Sequence, residues 1–401
     1  MVRSVAISRQ VMGALLVAGT TIGAGMLALP VATGSSGFMP AATLTIFSWL
    51  FMLFSALLLL EVATHMPEGS NLISMATRTL KKKGQLLAWA LYLLLFYSLT
   101  IAYIVGGGGF FVQITNGFLS APIATLLFVA LFAPIIYAGA HAVSLVNALL
   151  MGGLFLSYFL FLVFGWSEVS PALLKQANWL ASFSAFPIIF ISLSFQGLVP
   201  SLYSYLSGNA AVTRRTIILG SLMPLLLNLV WLALVLGIVP EGGPHGLAAA
   251  KAAGFNATVP LTYFLSSPFV MVCGLGFAFF ALTTSFLGVS LGLFDFFADG
   301  FNIPKTSNKK WLIGFVLFVP TTLIAISRPD IFLLALNYAG GLGSSLLLGA
   351  LPIIMAFLLR YTRLRDSFDK GQRMLFGGRV LLAGMMIFLL FEIICAIKEL
   401  V

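Results

Sequence analysis

The chain has 401 residues, of which 60% are hydrophobic and only 8% are charged. Soluble domains carry about 25% charged residues, so this composition excludes them and indicates a protein that crosses the membrane many times. The net charge of +10 does not indicate nucleic-acid binding, because the basic residues alternate between loops along the chain.

Eleven apolar segments are long enough to cross the hydrocarbon as helices, which takes about 20 residues. They are residues 11–33, 40–64, 85–112, 121–138, 144–165, 183–206, 216–239, 267–298, 311–327, 331–359 and 378–397. We predict an all-α integral membrane protein, a single polytopic domain over residues 1–401 that has the lipid bilayer as its surroundings. Cys273 and Cys395 lie in apolar segments, so no disulfide framework or metal site is expected.

The basic residues predict the orientation of the chain. Seventeen of the 21 Lys and Arg residues lie before the first segment or in loops that follow even-numbered segments. The other four are Lys175, Lys251, Arg328 and Lys398. Because loops rich in Lys and Arg stay in the cytoplasm, we expect a cytoplasmic N-terminus and a periplasmic C-terminus.

The first segment contains the run GTTIGAGMLALP, residues 19–30. Each of its three glycines weakens a helix by about 1 kcal/mol relative to alanine. In a bilayer, broken backbone is tolerated only where it is buried in protein or lines a wet cavity. The run therefore predicts a broken helix whose free backbone groups bind something, whereas helix packing is the alternative for glycines in one helix.

The sixth segment, SFSAFPIIFISLSFQGLVPSLYSYL, is interrupted as well. Pro187 and Pro200 flank the small polar centre SLSFQG, and proline removes a backbone donor from a helix. The two breaks lie five segments apart, and a repeat with an odd number of helices reverses its direction in the membrane. Paired breaks indicate a transporter with a site near the midplane. We predict inverted repeats over residues 11–165 and 183–359, with 378–397 as a peripheral helix.

Four motifs together resemble one family: GTTIGAGMLALP, LLLLEV at 57–62, SLSFQGLVPSLYSYLSGN at 192–209 and TSFLGVSLGLFDFFAD at 284–299. Over nearly its whole length, the chain is similar to the bacterial aromatic and hydroxy amino acid permeases of the amino acid-polyamine-organocation superfamily, and most to the tyrosine-specific ones. The resemblance implies the LeuT-type fold, a 5+5 inverted repeat with broken helices 1 and 6. It also implies import of aromatic amino acids, tyrosine first and tryptophan second, coupled to protons.

Backbone amides freed at the first break suit the carboxylate of an amino acid, because the dipole at a helix N-terminus is equivalent to about +0.5 charge. The residues that supply those amides are Thr21, Ile22, Gly23, Ala24 and Gly25. These residues are our candidates for the carboxylate end of the substrate site.

The second break supplies further candidates for the substrate site. Carbonyls around Ser194 suit the ammonium group, Phe195 is the best wall for an aromatic side chain, and Gln196 lies beside it. In the third segment, Tyr97 and Tyr103 can also bind a carboxylate. With 37 Phe and 10 Tyr residues in the chain, packing or interface anchoring is the alternative for each aromatic residue.

Glu61 is the strongest candidate among the ionisable residues, because placing a carboxylate within the membrane costs enough free energy to imply a compensating partner. The LeuT-type template implies that it accepts free amides of the broken sixth segment, which is a structural role. A proton-carrying role and a position at the interface near His65 are the alternatives. We read Glu392 as an interfacial residue, and we expect no buried arginine in the membrane core.

The coupling ion is the proton by resemblance, with sodium as the alternative. Thr284 and Ser285 match the place where sodium-coupled LeuT-type carriers have a hydroxyl pair, opposite carbonyls near Ala18 and Gly19. Hydroxyls that bond the preceding turn are the other interpretation. The tyrosine-permease pattern has histidine at Gln196, and the fifth segment lacks lysine, which weakens proton coupling through those two positions.

The rival classes are a passive channel or facilitator and an integral-membrane enzyme. An enzyme needs a polar catalytic cluster, and three scattered histidines do not supply one. The sequence has no phosphate-binding loop of the ATPase type, so we expect neither ATP coupling nor any cofactor.

Overall fold

The structure is a computed structural model that describes residues 2–67, 70–300, 310–362 and 372–400, and every regular element in these ranges is a helix. Ten helices are long and apolar enough to cross a membrane, and α1 and α2 add an eleventh span if this pair, bent by 51°, is counted as one. The prediction of about eleven spans is therefore confirmed. The α-helices are α1 Val2–Thr21, α2 Ala24–Thr33, α3 Phe38–Ala63, α4 Leu72–Ile114, α5 Ala121–Ala138, α6 Ala140–Gly165, α7 Pro171–Leu174, α8 Phe186–Ser192, α9 Val199–Tyr205, α10 Ala210–Ile238, α11 Leu247–Ala252, α12 Thr258–Phe264, α13 Pro268–Gly300, α14 Lys310–Ser327, α15 Phe332–Asn337, α16 Leu351–Tyr361 and α17 Gly378–Leu400.

The helix of the third span begins much earlier than its hydropathy predicts. Asn71 accepts a hydrogen bond from the Ser74 amide at 2.8 Å, and the Ser74 hydroxyl accepts one from the Asn71 amide at 2.9 Å. This reciprocal capping satisfies two donors that a helix start otherwise leaves free. The backbone then turns at Lys81, where φ is 63°. A polar stretch outside the apolar segment is thus helical because its first turn is capped.

The spans divide into a central group and an outer group. In α3 and in the span that contains α8 and α9, 72% and 78% of the apolar window is buried, whereas in α5, α6, α14 and α17 the share is 22–28%. The outer helices expose large apolar side chains such as Leu149 on α6, which is 78% exposed. Apolar faces of this extent belong against lipid, so the broken spans lie at the centre of the protein.

A π-helix, Tyr338–Ala350, joins α15 to α16 within the tenth span. The Ser345 hydroxyl donates to the Gly340 carbonyl, five residues earlier, at 3.0 Å. A Cβ on Gly340 would collide with the Pro187 carbonyl of α8. Glycine therefore lets the π-helix pack closely against α8. Although π-helical turns are rare overall, those that occur are often found at functional sites.

Candidate functional site

The first break separates α1, which ends at Thr21, from α2, which begins at Ala24. Gly23 is extended, with φ −166° and ψ −154°. The first amides of a helix have no acceptor within it, so the amides that begin α2 at Ala24 and Gly25 are free of intrahelical bonds. The predicted break of the first span is confirmed, and its residues are buried.

The second break lies between Ser192, where α8 ends, and Val199, where α9 begins. The Phe195 amide donates to the side-chain oxygen of Gln196 at 2.9 Å. The side-chain nitrogen of Gln196 donates in turn to the Met52 carbonyl of α3 at 3.1 Å. Gln196 therefore fixes the unwound segment to α3, and the predicted break of the sixth span is confirmed.

The two breaks are in contact with each other. A Cβ on Gly25 would lie 2.8 Å from the Cα and 2.9 Å from the amide nitrogen of Ser192. Real Cβ contacts are not that short, so only glycine lets these half-helices approach so closely. The start of α2 and the end of α8 thus meet at one point in the core.

Ser285 of α13 connects the first break to two other spans. Its hydroxyl donates to the Ile22 carbonyl at 3.1 Å, and Tyr103 of α4 is buried beside the same break. A Cβ on Gly23 would meet the Ser285 hydroxyl and lie 3.4 Å from the Tyr103 hydroxyl. The structure therefore brings Tyr103 and Ser285 to the first break.

Three other candidates use their polar groups away from the breaks. Thr284 donates to the Phe280 carbonyl at 2.8 Å, within its own helix. Thr21 donates to its own preceding turn, at Val17. Tyr97 donates to the Val316 carbonyl of α14 at 2.7 Å. Tyr97 thus lies at the contact of α4 with α14, and the expectation that its hydroxyl serves the substrate site is not supported by this geometry.

The carbonyls and aromatic side chains proposed for the site have definite surroundings. The Ala18 carbonyl accepts the Ile22 amide at 3.3 Å. Gly19, at the last turn of α1, packs against Met151 of α6, and a last-turn carbonyl has no intrahelical donor. Phe195 is only 4% exposed, so it is part of the closed core around the breaks.

Glu61 does not bind the broken sixth span, and the expectation that it does is wrong. Its two carboxylate oxygens accept from Nε and Nη2 of Arg360 at 2.6 Å each, and one also accepts from the Met374 amide at 2.9 Å. The polar contact between α3 and the sixth span is made instead by Gln196 of that span, which donates to the Met52 carbonyl of α3. Arg360, the penultimate residue of α16, is buried as well, at 7% exposure, but it lies at the end of its span, so the expectation of no arginine in the membrane core is not contradicted. A bidentate pair compensates both charges far better than separate burial would.

Glu392 is not interfacial as predicted, because it is fully buried where α17 packs against the π-helix. One carboxyl oxygen lies 2.5 Å from the Ser345 hydroxyl.

Two polar residues that sequence reasoning missed lie at the second break. The Ser344 hydroxyl is 2.6 Å from that of Ser194, and Asn228 of α10 lies 3.5 Å from the Ser192 carbonyl. The sequence feature that could have identified them is a polar residue inside an otherwise apolar span.

The point where Gly25 meets Ser192 is buried, whereas Gly197 of the second break is exposed. A small cavity lies beside α12 and α13, and an apolar groove runs between α16 and α17. Neither of these two spaces is lined by a residue of the breaks. A ligand at the crossing thus needs a rearrangement of the helices to enter.

The chain belongs to the tryptophan/tyrosine permease family, whose model matches residues 7–396. It is 28% identical over 404 residues to a tryptophan-specific transport protein of Haemophilus influenzae, with 96% of this chain and 94% of the relative covered. It is 31% identical over 338 residues to tyrosine-specific transport system 1 of the same organism, covering 81% and 82%. The low affinity tryptophan permease of Escherichia coli is 28% identical over 403 residues, with 96% and 94% covered.

Solved structures confirm the LeuT-type fold. MhsT in complex with L-phenylalanine aligns with a TM-score of 0.65 at 15% identity, covering 97% of this chain and 98% of that one. A manganese transporter of Eremococcus coleocola aligns with a TM-score of 0.60 at 12% identity, covering 100% and 87%. At these identities the likeness concerns the fold alone.

Proposed function

We propose that this protein is a secondary transporter that carries aromatic amino acids across the inner membrane and binds them where the two breaks cross. The observation that carries the proposal is the backbone contact of Gly25 with Ser192. It joins the N-terminus of α2, where partial positive charge favours a carboxylate, to the C-terminus of α8, where partial negative charge favours an ammonium group. An amino acid zwitterion has both groups on one carbon.

The substrate site consists of backbone at both breaks and a few side chains around them. The amides of residues 23–25 bind the carboxylate, since the Ile22 amide already donates to Ala18, and carbonyls at Ala18, Gly19 and Ser194 bind the ammonium group. Phe195 and Tyr103 provide aromatic walls for the side chain. The family and the names of its relatives support an aromatic amino acid, with tyrosine the first substrate to test and tryptophan the second.

The proposed transport is symport, with the proton as the coupling ion. One observation favours sodium as a second candidate: the Ser285 hydroxyl contacts the Ile22 carbonyl at the break, and hydroxyl and carbonyl oxygens are sodium ligands in broken-helix carriers. Thr284 is turned away from this place, which leaves the hydroxyl pair incomplete. The proposed orientation has the N-terminus in the cytoplasm and the C-terminus in the periplasm.

Transport by purified protein in liposomes tests this proposal. Labelled tyrosine and tryptophan are offered while a proton gradient and a sodium gradient are imposed in separate experiments. We expect accumulation of at least one of the two amino acids against its own gradient when the proton gradient is present. The proposed function is contradicted if the protein accumulates no aromatic amino acid under either gradient. If only the sodium gradient drives uptake, the coupling ion is sodium and not the proton.

A further inference from the structure

Glu392 is a fully buried carboxyl group in an apolar helix, and in the part of the chain that the structure describes it has a single hydrogen-bond partner. Its Oε2 contacts the Ser345 hydroxyl, and its Oε1 has no hydrogen-bond partner among the described residues. An ionised carboxylate in such a place is very costly unless a cation or several donors compensate it. The surroundings of Glu392 provide neither, which separates it from Glu61 and its guanidinium partner.

The hydrogen-bond contacts of the Ser345 hydroxyl indicate the protonation state of Glu392. The Ser345 hydroxyl has one hydrogen, yet it lies within hydrogen-bond distance of two oxygens, 3.0 Å from the Gly340 carbonyl and 2.5 Å from Glu392. If Glu392 is ionised, both oxygens are acceptors and the single hydroxyl hydrogen of Ser345 can serve only one of them. If Glu392 is neutral, it donates to Ser345, and Ser345 donates to Gly340. Only the neutral carboxyl satisfies both contacts.

No charged group faces Glu392 from the described elements packed around it. Helices α8 and α15 and the turn Ala181–Ala185 have no titratable side chain. Helix α3, whose Phe51 packs on Phe388 of α17, has Glu61, which is paired with Arg360, and α11 has Lys251, which pairs with Glu399. The titratable residues on the π-helix, on α16 and on α17 itself are Tyr338, Arg360, Tyr361, Arg379, Cys395, Lys398 and Glu399. Of these cations, Arg360 is paired with Glu61 and Arg379 stacks on Tyr361, while Lys398 lies at the end of α17. Cys395, one turn after Glu392, is neutral as a thiol.

The π-helix connects Glu392 to the second break. Ser345 contacts Glu392, and the preceding residue, Ser344, contacts Ser194 at 2.6 Å. Ser194 in turn donates to the Phe190 carbonyl of α8 at 2.8 Å. Adjacent residues of one π-helical turn thus touch the carboxyl group on one side and the unwound segment on the other.

We propose that Glu392 is the proton-binding site of this transporter and that its protonation is transmitted to the second break through Ser345 and Ser344. The inference rests on the proposed transport function. In the closed state Glu392 is neutral and donates to Ser345. When Glu392 releases its proton to water, its carboxylate accepts the hydrogen bond of the Ser345 hydroxyl, and the Gly340 carbonyl loses that hydroxyl as a donor. The hydrogen bonding of the π-helical turn that contacts Ser194 then changes. Proton binding and substrate binding therefore affect the same unwound segment.

Infrared spectroscopy of the purified full-length protein tests the site without transport. We expect the C=O stretch of a neutral carboxyl group at neutral pH in the wild type and in Glu399→Gln, and its loss in Glu392→Gln. Glu399 is the matched control because it lies on the same helix but is partly exposed and pairs with Lys251. The assignment is tractable because the chain has only 11 acidic residues. An unchanged spectrum in Glu392→Gln overturns the proposal.

Transport assays then test coupling. A pH gradient of one unit drives about a tenfold accumulation for one proton per substrate. We expect this ratio in the wild type and in Glu399→Gln, and no accumulation by Glu392→Gln, although its exchange of labelled for unlabelled tyrosine remains measurable. Wild-type accumulation by Glu392→Gln overturns the proposal, as does wild-type uptake that depends on sodium alone.

Two further measurements keep the proposal testable if a variant or the proposed function fails. If Glu392→Gln does not fold, Ser345→Ala replaces it, and we expect the carboxyl band to move and to titrate at a different pH. An unmoved band in Ser345→Ala overturns the proposal. If the wild type transports no aromatic amino acid, the transport function fails, whereas the infrared band still shows whether Glu392 binds a proton.

Discussion

Gly25 and Ser192 lie in backbone contact, although they belong to spans that are five spans apart in the sequence. A Cβ on Gly25 would be 2.8 Å from the Cα of Ser192. Because this contact brings opposite helix ends together, it is the structural basis for a site that fits a zwitterion. The predictions below test how far function depends on this crossing and on the polar contacts that hold it.

Gly25→Val is expected to weaken binding of tyrosine and tryptophan by about tenfold or more, equal to about 1.4 kcal/mol. The added side chain forces the start of α2 away from the end of α8. Equilibrium binding of labelled substrate to the purified protein measures the effect. Gly109→Val is the control, since a Cβ at Gly109 meets nothing within 4 Å, and wild-type affinity in Gly25→Val contradicts a site at the crossing.

Ser285→Ala and Thr284→Val are expected to differ although the residues are adjacent. Ser285 is hydrogen-bonded to the first break, whereas Thr284 is bonded to its own helix. A lost hydrogen bond of about 0.5–1.5 kcal/mol corresponds to a decrease in substrate affinity of about 2- to 12-fold for Ser285→Ala. Thr284→Val is expected to stay close to wild type. Uptake kinetics of both variants, with and without sodium, check this, and equal effects would remove Ser285 from the site.

Glu61→Gln and Arg360→Met are each expected to destabilise the protein by about 3–5 kcal/mol, because each leaves one buried charge without its partner. The double variant is expected to recover much of this loss. Thermal unfolding in detergent, analysed as a double-mutant cycle, measures the coupling. Arg328→Gln is the control, since its pair with Asp330 is exposed and such pairs contribute little. Additive losses would show that the two charges are not coupled.

Gln196→Leu is expected to destabilise the protein by about 1–3 kcal/mol, because it leaves the buried Phe195 amide without an acceptor. Transport is expected to fall further than stability, since the unwound segment loses its contact to Met52. Melting temperature and tyrosine uptake give the two readouts. Gln176→Leu, at an exposed position, serves as the control. A Gln196→Leu protein as stable and active as wild type would rule out this holding role.

Local patterns predicted most of the fold. Apolar length placed the spans because the bilayer requires every backbone group to be bonded within a helix. Glycine and proline placed both breaks because they act on the adjacent turns alone. The start of α4 was missed because hydropathy does not detect the capping pair Asn71 and Ser74. The sequence did not predict the π-helix, because the role of its glycines depends on a distant element. Gly340, for example, is required only where α8 packs against it.

The sequence by itself determined an all-helical membrane protein with two broken spans, since hydropathy and backbone propensity are properties of neighbouring residues. Only the tertiary structure decided the partners of the buried acids. Glu61 pairs with a residue 299 positions away, and Glu392 contacts one 47 positions away. A buried charge is stable only beside a compensating group, and the packing of distant helices selects that group. That packing made Glu61 half of an ion pair and, among the described residues, left Glu392 with a single hydroxyl as its partner.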